Sequence, residues 1–111
     1  MKKLSMYCLT LEPSHLTTIK SLGYIPVGLG GKEFSKEFLS DNTNDNISKK
    51  NKYYGEYTFH YWLWKNYLNN IEDGWIGFCQ YRKFWSLKYL DKSEISNKNL
   101  KNIVLNQIPE E

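Results

Sequence analysis

The sequence predicts an α/β domain built on a mostly parallel sheet. Three observations carry that prediction. "LSMYCLT", residues 4–10, is nearly continuous in apolar character, as a strand covered on both faces must be. Strand, helix and strand signals follow one another within the first thirty residues, the order of a βαβ unit. "WIGFC", residues 75–79, is a further short apolar run, and it follows a long helical pattern. At 111 residues the chain is sized for a single domain with a single core.

The elements follow in order. Pro13 and Ser14 punctuate the first strand, and Ser14 is a candidate N-cap for a short helix through "HLTTIKSL", with Gly23 to stop it. "YIPVGL", residues 24–29, reads as the second strand; Pro26 lacks an N–H and argues for an edge position or a short strand. Residues 30–52 are loop-like, with a helical turn expected around Phe34–Leu39 and a dense Asp, Asn, Ser and Thr stretch from 40 to 48 that favours side-chain-to-backbone turns. Asn51 is placed to cap a helix running from Tyr53 to Leu68. In "YYGEYTFHYWLWKNY", residues 53–67, eight of fifteen residues are aromatic. Apolar groups at 54, 57, 61, 64 and 68 have the spacing of one helix stripe, and Phe59, Trp62, Leu63 and Tyr67 spread around the rest, so the helix is expected to be buried on most sides. Asn69–Asn70 and Asp73–Gly74 turn the chain into the strand at 75–79, and "QYRKFW" leaves that strand at its C-terminal end. Beyond Asp91 a late helix is expected, with Leu100, Ile103, Val104 and Ile108 as its apolar positions.

Composition excludes some functions. A net charge of +3 is too small to point to nucleic acid, and the rings crowd into one helix instead of alternating with basic residues on an exposed face. No nucleic-acid partner is expected. Cys8 and Cys79 make neither a disulfide framework nor a zinc site; each sits in an apolar run as a small buried hydrophobe, which fits a reduced, cytoplasmic setting. "MKKLSMYCLTLEP" has too short an apolar stretch for a signal peptide, and no run approaches the roughly 18–20 apolar residues of a membrane span. Membrane contact is therefore expected to be peripheral, at the inner face. Fourteen lysines accompany one arginine, Arg82, which draws attention to the planar fork at that position.

Three polar clusters have positions that matter. "DNTNDNIS", residues 41–48, leads into the aromatic helix. Glu56 and His60 lie one turn apart on it. Gln80, Tyr81, Arg82 and Lys83 stand at a strand's C-terminal end, the edge at which α/β sheets bind ligands, and a helix N-terminus beside it favours anions. Together they predict a site for an anionic small molecule walled by rings. Glu56 is a candidate base for an acceptor hydroxyl; the alternative is stabilisation of the helix N-terminus. His60 reads as an ordinary packed or surface histidine, and Lys65 as a snorkelling one of its kind.

The same residues resemble the DUF4422-type family of capsular and exopolysaccharide biosynthesis proteins, described as glycosyltransferases. The family pattern is a loop D-x-T-G-D-N-I-S-x-K-N, a helix Y-x-E-x-T-x-x-Y-W-x-W-K-N and a strand ending in H-Y-R-R. Asp41, Thr43, Asp45, Asn46, Ile47, Ser48, Lys50 and Asn51 match the loop. Tyr54, Glu56, Thr58, Tyr61, Trp62, Trp64, Lys65 and Asn66 match the helix; Tyr81 and Arg82 match the last motif. Asn44 stands where the family has Gly, and Lys83 where it has Arg. Gln80 stands where it has His, which removes a group able to titrate near neutrality.

The resemblance implies a GT-A-like, Rossmann-like fold with a nucleotide-sugar donor over the C-terminal edge of the sheet and transfer to a surface glycan acceptor. Arg82 and Lys83 would neutralise the donor diphosphate, with Gln80, Asn46, Ser48 and Thr10 as further donor contacts. Glu56 and Asp45 are the catalytic candidates, and Tyr81 and Trp62 the sugar-stacking rings; for most rings the alternative is core packing. No cofactor is fixed. No D-x-D occurs in the chain, and Asp41 or Asp45 recruiting Mg²⁺ or Mn²⁺ is the alternative to charge neutralisation by Arg82 and Lys83. The loop could also be held by Asx-turns alone, with no ligand role. Family members continue past this chain's length, so residues 1–111 are expected to be the N-terminal part of a glycosyltransferase-like domain, and a truncated, non-catalytic binding remnant is the second reading.

Overall fold

The computed structural model describes residues 3–96 and 98–108. Four strands, β1 (Leu4–Thr10), β2 (Ile25–Gly28), β3 (Leu39–Ser40) and β4 (Trp75–Gln80), form one sheet in the order β3-β2-β1-β4. Every pairing is parallel, with Cys8 opposite Pro26 on one side and Cys79 on the other. The expected α/β architecture is present and is compatible with a Rossmann-like fold.

β1 is apolar throughout because it feeds two cores. Successive side chains of a strand point to opposite faces. Met6 and Cys8 pack with Ile19 from the first helix, α1 (Leu16–Ser21), with Leu22 just after it, and with Leu100 and Val104 from the C-terminal segment. Tyr7 and Leu9 face the other way, against Val27, Phe59, Trp62 and Leu63. Phe59 is fully buried, and burial of such a side chain stabilises by about 1.5–3 kcal/mol.

α1 ends as expected. Gly23 has φ +77°, its N–H donates to the Lys20 carbonyl and the Tyr24 N–H to the Ile19 carbonyl, the paired bonds of a Schellman stop, while Tyr24 and Ile19 share the same core. Its start differs from expectation. A 3₁₀ turn over Pro13–His15 precedes the helix and no side chain caps it, so Ser14 is not its N-cap. Pro26 marks a short strand, four residues long, and not an edge one. β2 lies inside the sheet, and the missing N–H is tolerated because β3 pairs only with Val27 and Gly28. The turn expected around Phe34–Leu39 is a single hydrogen-bonded turn closed by Phe38 N–H to the Ser35 carbonyl, after which Leu39 enters β3.

The aromatic helix is two helices. α2 (Asn51–Tyr54) and α3 (Tyr57–Asn66) are separated at Gly55, with φ 56° and ψ −131°, a backbone region in which a side chain is strained. The buried residues of α3 are Thr58, Phe59, Trp62 and Leu63, whereas Tyr54, Tyr57, Trp64 and Leu68 are exposed. The stripe at 54, 57, 61, 64 and 68 therefore faces outward. A helix this rich in rings carries two apolar stripes, and periodicity cannot say which meets the sheet. The late helix, α4 (Leu100–Ile103), is short because Val104 bridges to Ser86 and Leu105 N–H donates to the Trp85 carbonyl, which draws the chain out of the helix.

Candidate functional site

β1 has β2 on one side and β4 on the other. The chain leaves β1 through α1 toward β2 and β3, then crosses back to place β4 on the opposite flank. The carboxyl ends of β1 and β4 therefore frame the switch point of the sheet, where α/β folds open a crevice. A cleft of about 380 Å³ lies there. Thr10, Glu12 and His15 come to it from the end of β1, Asn51, Gly55 and Glu56 from the α2–α3 junction, and Gln80 and Tyr81 from the end of β4. Leucines 9, 11 and 29 supply the apolar lining.

The polar groups are held in pairs. The Glu12 amide donates to Thr10 Oγ1 at 3.1 Å, and that hydroxyl lies 2.6 Å from His15 Nδ1. The His15 ring stacks on Tyr81 with centroids 3.8 Å apart and planes 19° from parallel. Tyr81 is fixed from behind by its N–H to the Leu9 carbonyl at 2.9 Å, and the Tyr81–Arg82 peptide is cis. Gln80 Nε2 donates to Glu56 Oε2 at 2.6 Å. The Lys32 ammonium bonded to Glu12 holds that carboxyl below the usual carboxylate range, first through the hydrogen bond and then through its charge. Carboxylates, a carboxamide and an imidazole thus stand between a ring and leucines. Such a set can grip hydroxyls and N–H groups of a polyhydroxylated or heterocyclic ligand.

Of the residues singled out in the sequence, the structure brings Thr10, Glu56, Gln80 and Tyr81 together. Arg82 and Lys83 follow them directly but line a neighbouring cleft, together with Phe84, Leu100 and Val104 on the α1 side of the sheet. Asp45, Asn46 and Ser48 do not reach the switch-point cleft, because they fasten the loop to α3 and to itself. Asp45 accepts from Tyr61 Oη at 2.8 Å, and its carbonyl accepts from Asn66 at 2.7 Å. Asn46 Oδ1 accepts from the Ser48 amide and hydroxyl, while Asn46 Nδ2 donates to the Asn44 carbonyl, with Asn44 at φ 53°. The acidic loop and the Arg82–Lys83 pair are therefore not one constellation. Trp62 is a correction: it is 6% exposed, Phe59 and Tyr67 stack alongside it, and Nε1 donates to Thr43, so no sugar can stack on it.

Asp41 is buried at 2% exposure and accepts from Thr58 Oγ1 at 2.5 Å, while Asn51 Nδ2 donates to the same hydroxyl at 3.1 Å and to the Gly55 carbonyl at 2.9 Å. Burial pushes the Asp41 carboxyl up, against the downward pull of the Thr58 bond. This network ties the acidic loop to the α2–α3 junction and so shapes one wall of the cleft. Asp41 and Asp45 do not fit a divalent cation: one is enclosed by Thr58, the other is bonded to Tyr61, and among the described residues no three His, Cys, Asp or Glu side chains gather as a ligand set. His15 and Glu12 are the site residues that sequence reasoning missed, while Asn51, expected to cap the helix, instead begins α2 and lines the cleft. The signal was there in "TLEPSH", which follows the end of β1 as "QYRK" follows the end of β4.

Among the described residues no helix is long and apolar enough to cross a membrane. A family model described as "Domain of unknown function (DUF4422)" matches residues 6–109. No curated protein and no solved structure matches the chain.

Proposed function

The chain belongs to the DUF4422 family, and on that premise we propose that it binds a nucleotide-sugar donor at the β1–β4 switch point and takes part in sugar transfer to a surface glycan. The observation that carries this reading is the cleft itself: polar groups from both central strand ends converge on a crevice of about 380 Å³, within the usual size of small-molecule sites. Thr10, His15 and Tyr81 suit the nucleoside portion, with hydrogen bonds at one end and a ring at the other. Glu56, oriented by Gln80, takes the proton of an acceptor hydroxyl. The acceptor oxygen then attacks the anomeric carbon, the bond to the diphosphate breaks, and the diphosphate leaves with the electron pair. Arg82 and Lys83, on the residues following Tyr81, line the neighbouring cleft and offset that growing negative charge from there.

The work would be done on the cytoplasmic side, against the membrane. Tyr53, Tyr57 and Trp64 are exposed, and Lys52 and Lys65 sit over their own neighbouring rings, a combination suited to headgroups.

Calorimetric titration with uridine diphosphate hexoses tests the donor reading. Gln80→Leu and Arg82→Ala should each weaken binding by about ten- to a hundredfold, the loss of a hydrogen bond to a charged group. Unchanged affinity in both variants refutes it. Donor binding without any release of the free diphosphate in the presence of glycan acceptors would favour the non-catalytic remnant.

A further inference from the structure

The larger cleft has features of its own. It measures about 920 Å³, toward the upper end of the range for small-molecule sites, and offers room for more than one sugar ring. Its floor is apolar, formed by buried Leu100 and Val104. Its rim carries Arg82, Lys83 and Lys92, and no carboxylate lines it among the described residues. The acids nearest in sequence, Asp91 and Glu94, each accept from the other's backbone N–H in a capping box.

One wall is a fixed ring. Trp85 Nε1 donates to the Phe78 carbonyl at 2.8 Å, on the outer edge of β4, yet the side chain is 59% exposed. The backbone around it is pinned by Leu105 N–H to the Trp85 carbonyl at 2.7 Å and by Leu87 N–H to the Ile103 carbonyl at 3.1 Å. An indole anchored through its polar edge and open on its body is a preformed stacking platform, and little side-chain entropy remains to be lost when a ligand settles on it.

We propose that this cleft binds an anionic saccharide, with a sugar face on Trp85 and the acidic substituent toward Lys92 on the basic rim. As a binding cleft it stands on the geometry above; as the acceptor side of a transferase it rests on the donor reading, since the turn from Gln80 to Lys83 joins the two clefts. The acid can be a uronate carboxylate or a phosphate ester, which share the same requirement for a positive rim.

The test is an NMR titration of the ¹⁵N-labelled chain with three probes: trigalacturonate, neutral maltotriose and a hexose 1-phosphate. The Trp85 indole N–H and amides of 82–96 should shift with at least one anionic probe, at an affinity about tenfold or more above that for maltotriose. Trigalacturonate alone would identify a carboxylate ligand, and hexose 1-phosphate alone a phosphate one. Lys92→Glu should weaken the anionic probe by about tenfold, and the exposed Lys36→Glu should leave it unchanged. Silence at Trp85 with all probes, equal affinity for the neutral one, or equal effects of the two charge reversals overturns the proposal. The donor is scored separately, by shifts at His15, Gln80 and Tyr81 with a uridine diphosphate hexose. Their absence while trigalacturonate still moves Trp85 removes the transferase reading and leaves the saccharide cleft standing.

Discussion

Thr58→Val is the sharpest test of how the cleft wall is built. Valine keeps the shape and deletes the hydroxyl. Thr58 is fully buried, its Oγ1 lies 2.5 Å from Asp41 Oδ2, and it accepts from Asn51 Nδ2 at 3.1 Å. A hydrogen bond to a charged group contributes about 1.5–3 kcal/mol, and a buried carboxylate left short of a donor adds to that loss. Asn51 keeps its bond to the Gly55 carbonyl, so its share is small. The expected cost at neutral pH is about 3 kcal/mol, read as a fall of roughly 1–3 M in the urea midpoint. Asp41→Asn removes the charge but keeps an acceptor for Thr58, and it should cost less than Thr58→Val. The pH dependence fixes the sign. Asp41 titrates above its ordinary value of 3.8, so the folded chain binds this proton more tightly than the unfolded one. Its contribution to stability therefore improves as pH falls through the folded value and is complete below 3.8. Losing Thr58 removes a downward pull and raises the folded value further. The Thr58→Val penalty should accordingly shrink on acidification from neutral toward pH ~4. A neutral-pH cost under about 0.5 kcal/mol, or a penalty that grows with acid, would refute the latch.

Other perturbations probe different links. Gly55→Ala should cost about 1–3 kcal/mol and weaken ligands of the switch-point cleft; nothing lies within 4 Å of the added Cβ, so the cost is conformational and Gly55→Asn should not rescue it in urea melts. His15→Ala should lower donor affinity with little change in melting temperature, because the ring stacks on Tyr81 at the surface of the cleft; equal donor titrations would remove His15 from the site. Co-sedimentation with vesicles should show binding to anionic but not zwitterionic lipid, reduced by Trp64→Ala with Lys65→Ala, each lysine near the surface being worth about 1 kcal/mol. Cys8 and Cys79 face each other in register, and the Cys8 thiol is pushed up by its hydrogen bond with Cys79 and then by burial; iodoacetamide labelling followed by mass spectrometry should find both protected until the chain unfolds.

Much of the sheet was legible because burial on both faces leaves an apolar run with nothing to confuse it. β1 and β4 lie where their sequences place them, and Gly23 stops α1 by the mechanism its position suggests. The losses came where two physical signals compete. Gly55 sits inside an otherwise continuous helical pattern, yet its positive φ splits the segment. Once split, the second helix turns Phe59, Trp62 and Leu63 to the sheet and sends Tyr57 and Trp64 to solvent. Rings at every phase of a helix make hydrophobic periodicity uninformative about direction. The α4 region failed for a different reason: Val104 prefers a bridge to Ser86 from a residue distant in sequence, a tertiary bond that local pattern cannot anticipate.

The candidate site shows the same limit at finer scale. "QYRK" reads as one cluster at a strand end, but the chain turns there, with Lys83 N–H donating to the Gln80 carbonyl at 2.6 Å. Within that tight turn the first two residues remain at the switch point and the next two line the neighbouring cleft. Four consecutive residues thus serve two cavities, and the positive charge lies beside the smaller cleft, not inside it. The acidic loop, which sequence reasoning joined to that charge, is committed instead to Tyr61, Trp62 and Thr58. Its oxygens already accept protein hydrogen bonds, and a ligand would have to displace those bonds at a cost of about 0.5–1.5 kcal/mol each or more. The loop's density of Asp, Asn, Ser and Thr is explained by pinning an irregular segment onto a helix, and the residues that line the two clefts are instead drawn from those that leave the strand ends, Thr10 to His15 and Gln80 to Lys83. A variant that unpins the loop at Asp45 should therefore disturb the fold of 41–48 before it disturbs ligand affinity. Hydrogen exchange of those amides, compared with donor titration of Asp45→Ala, separates the two, and a loss of affinity with unchanged exchange would return the loop to the site.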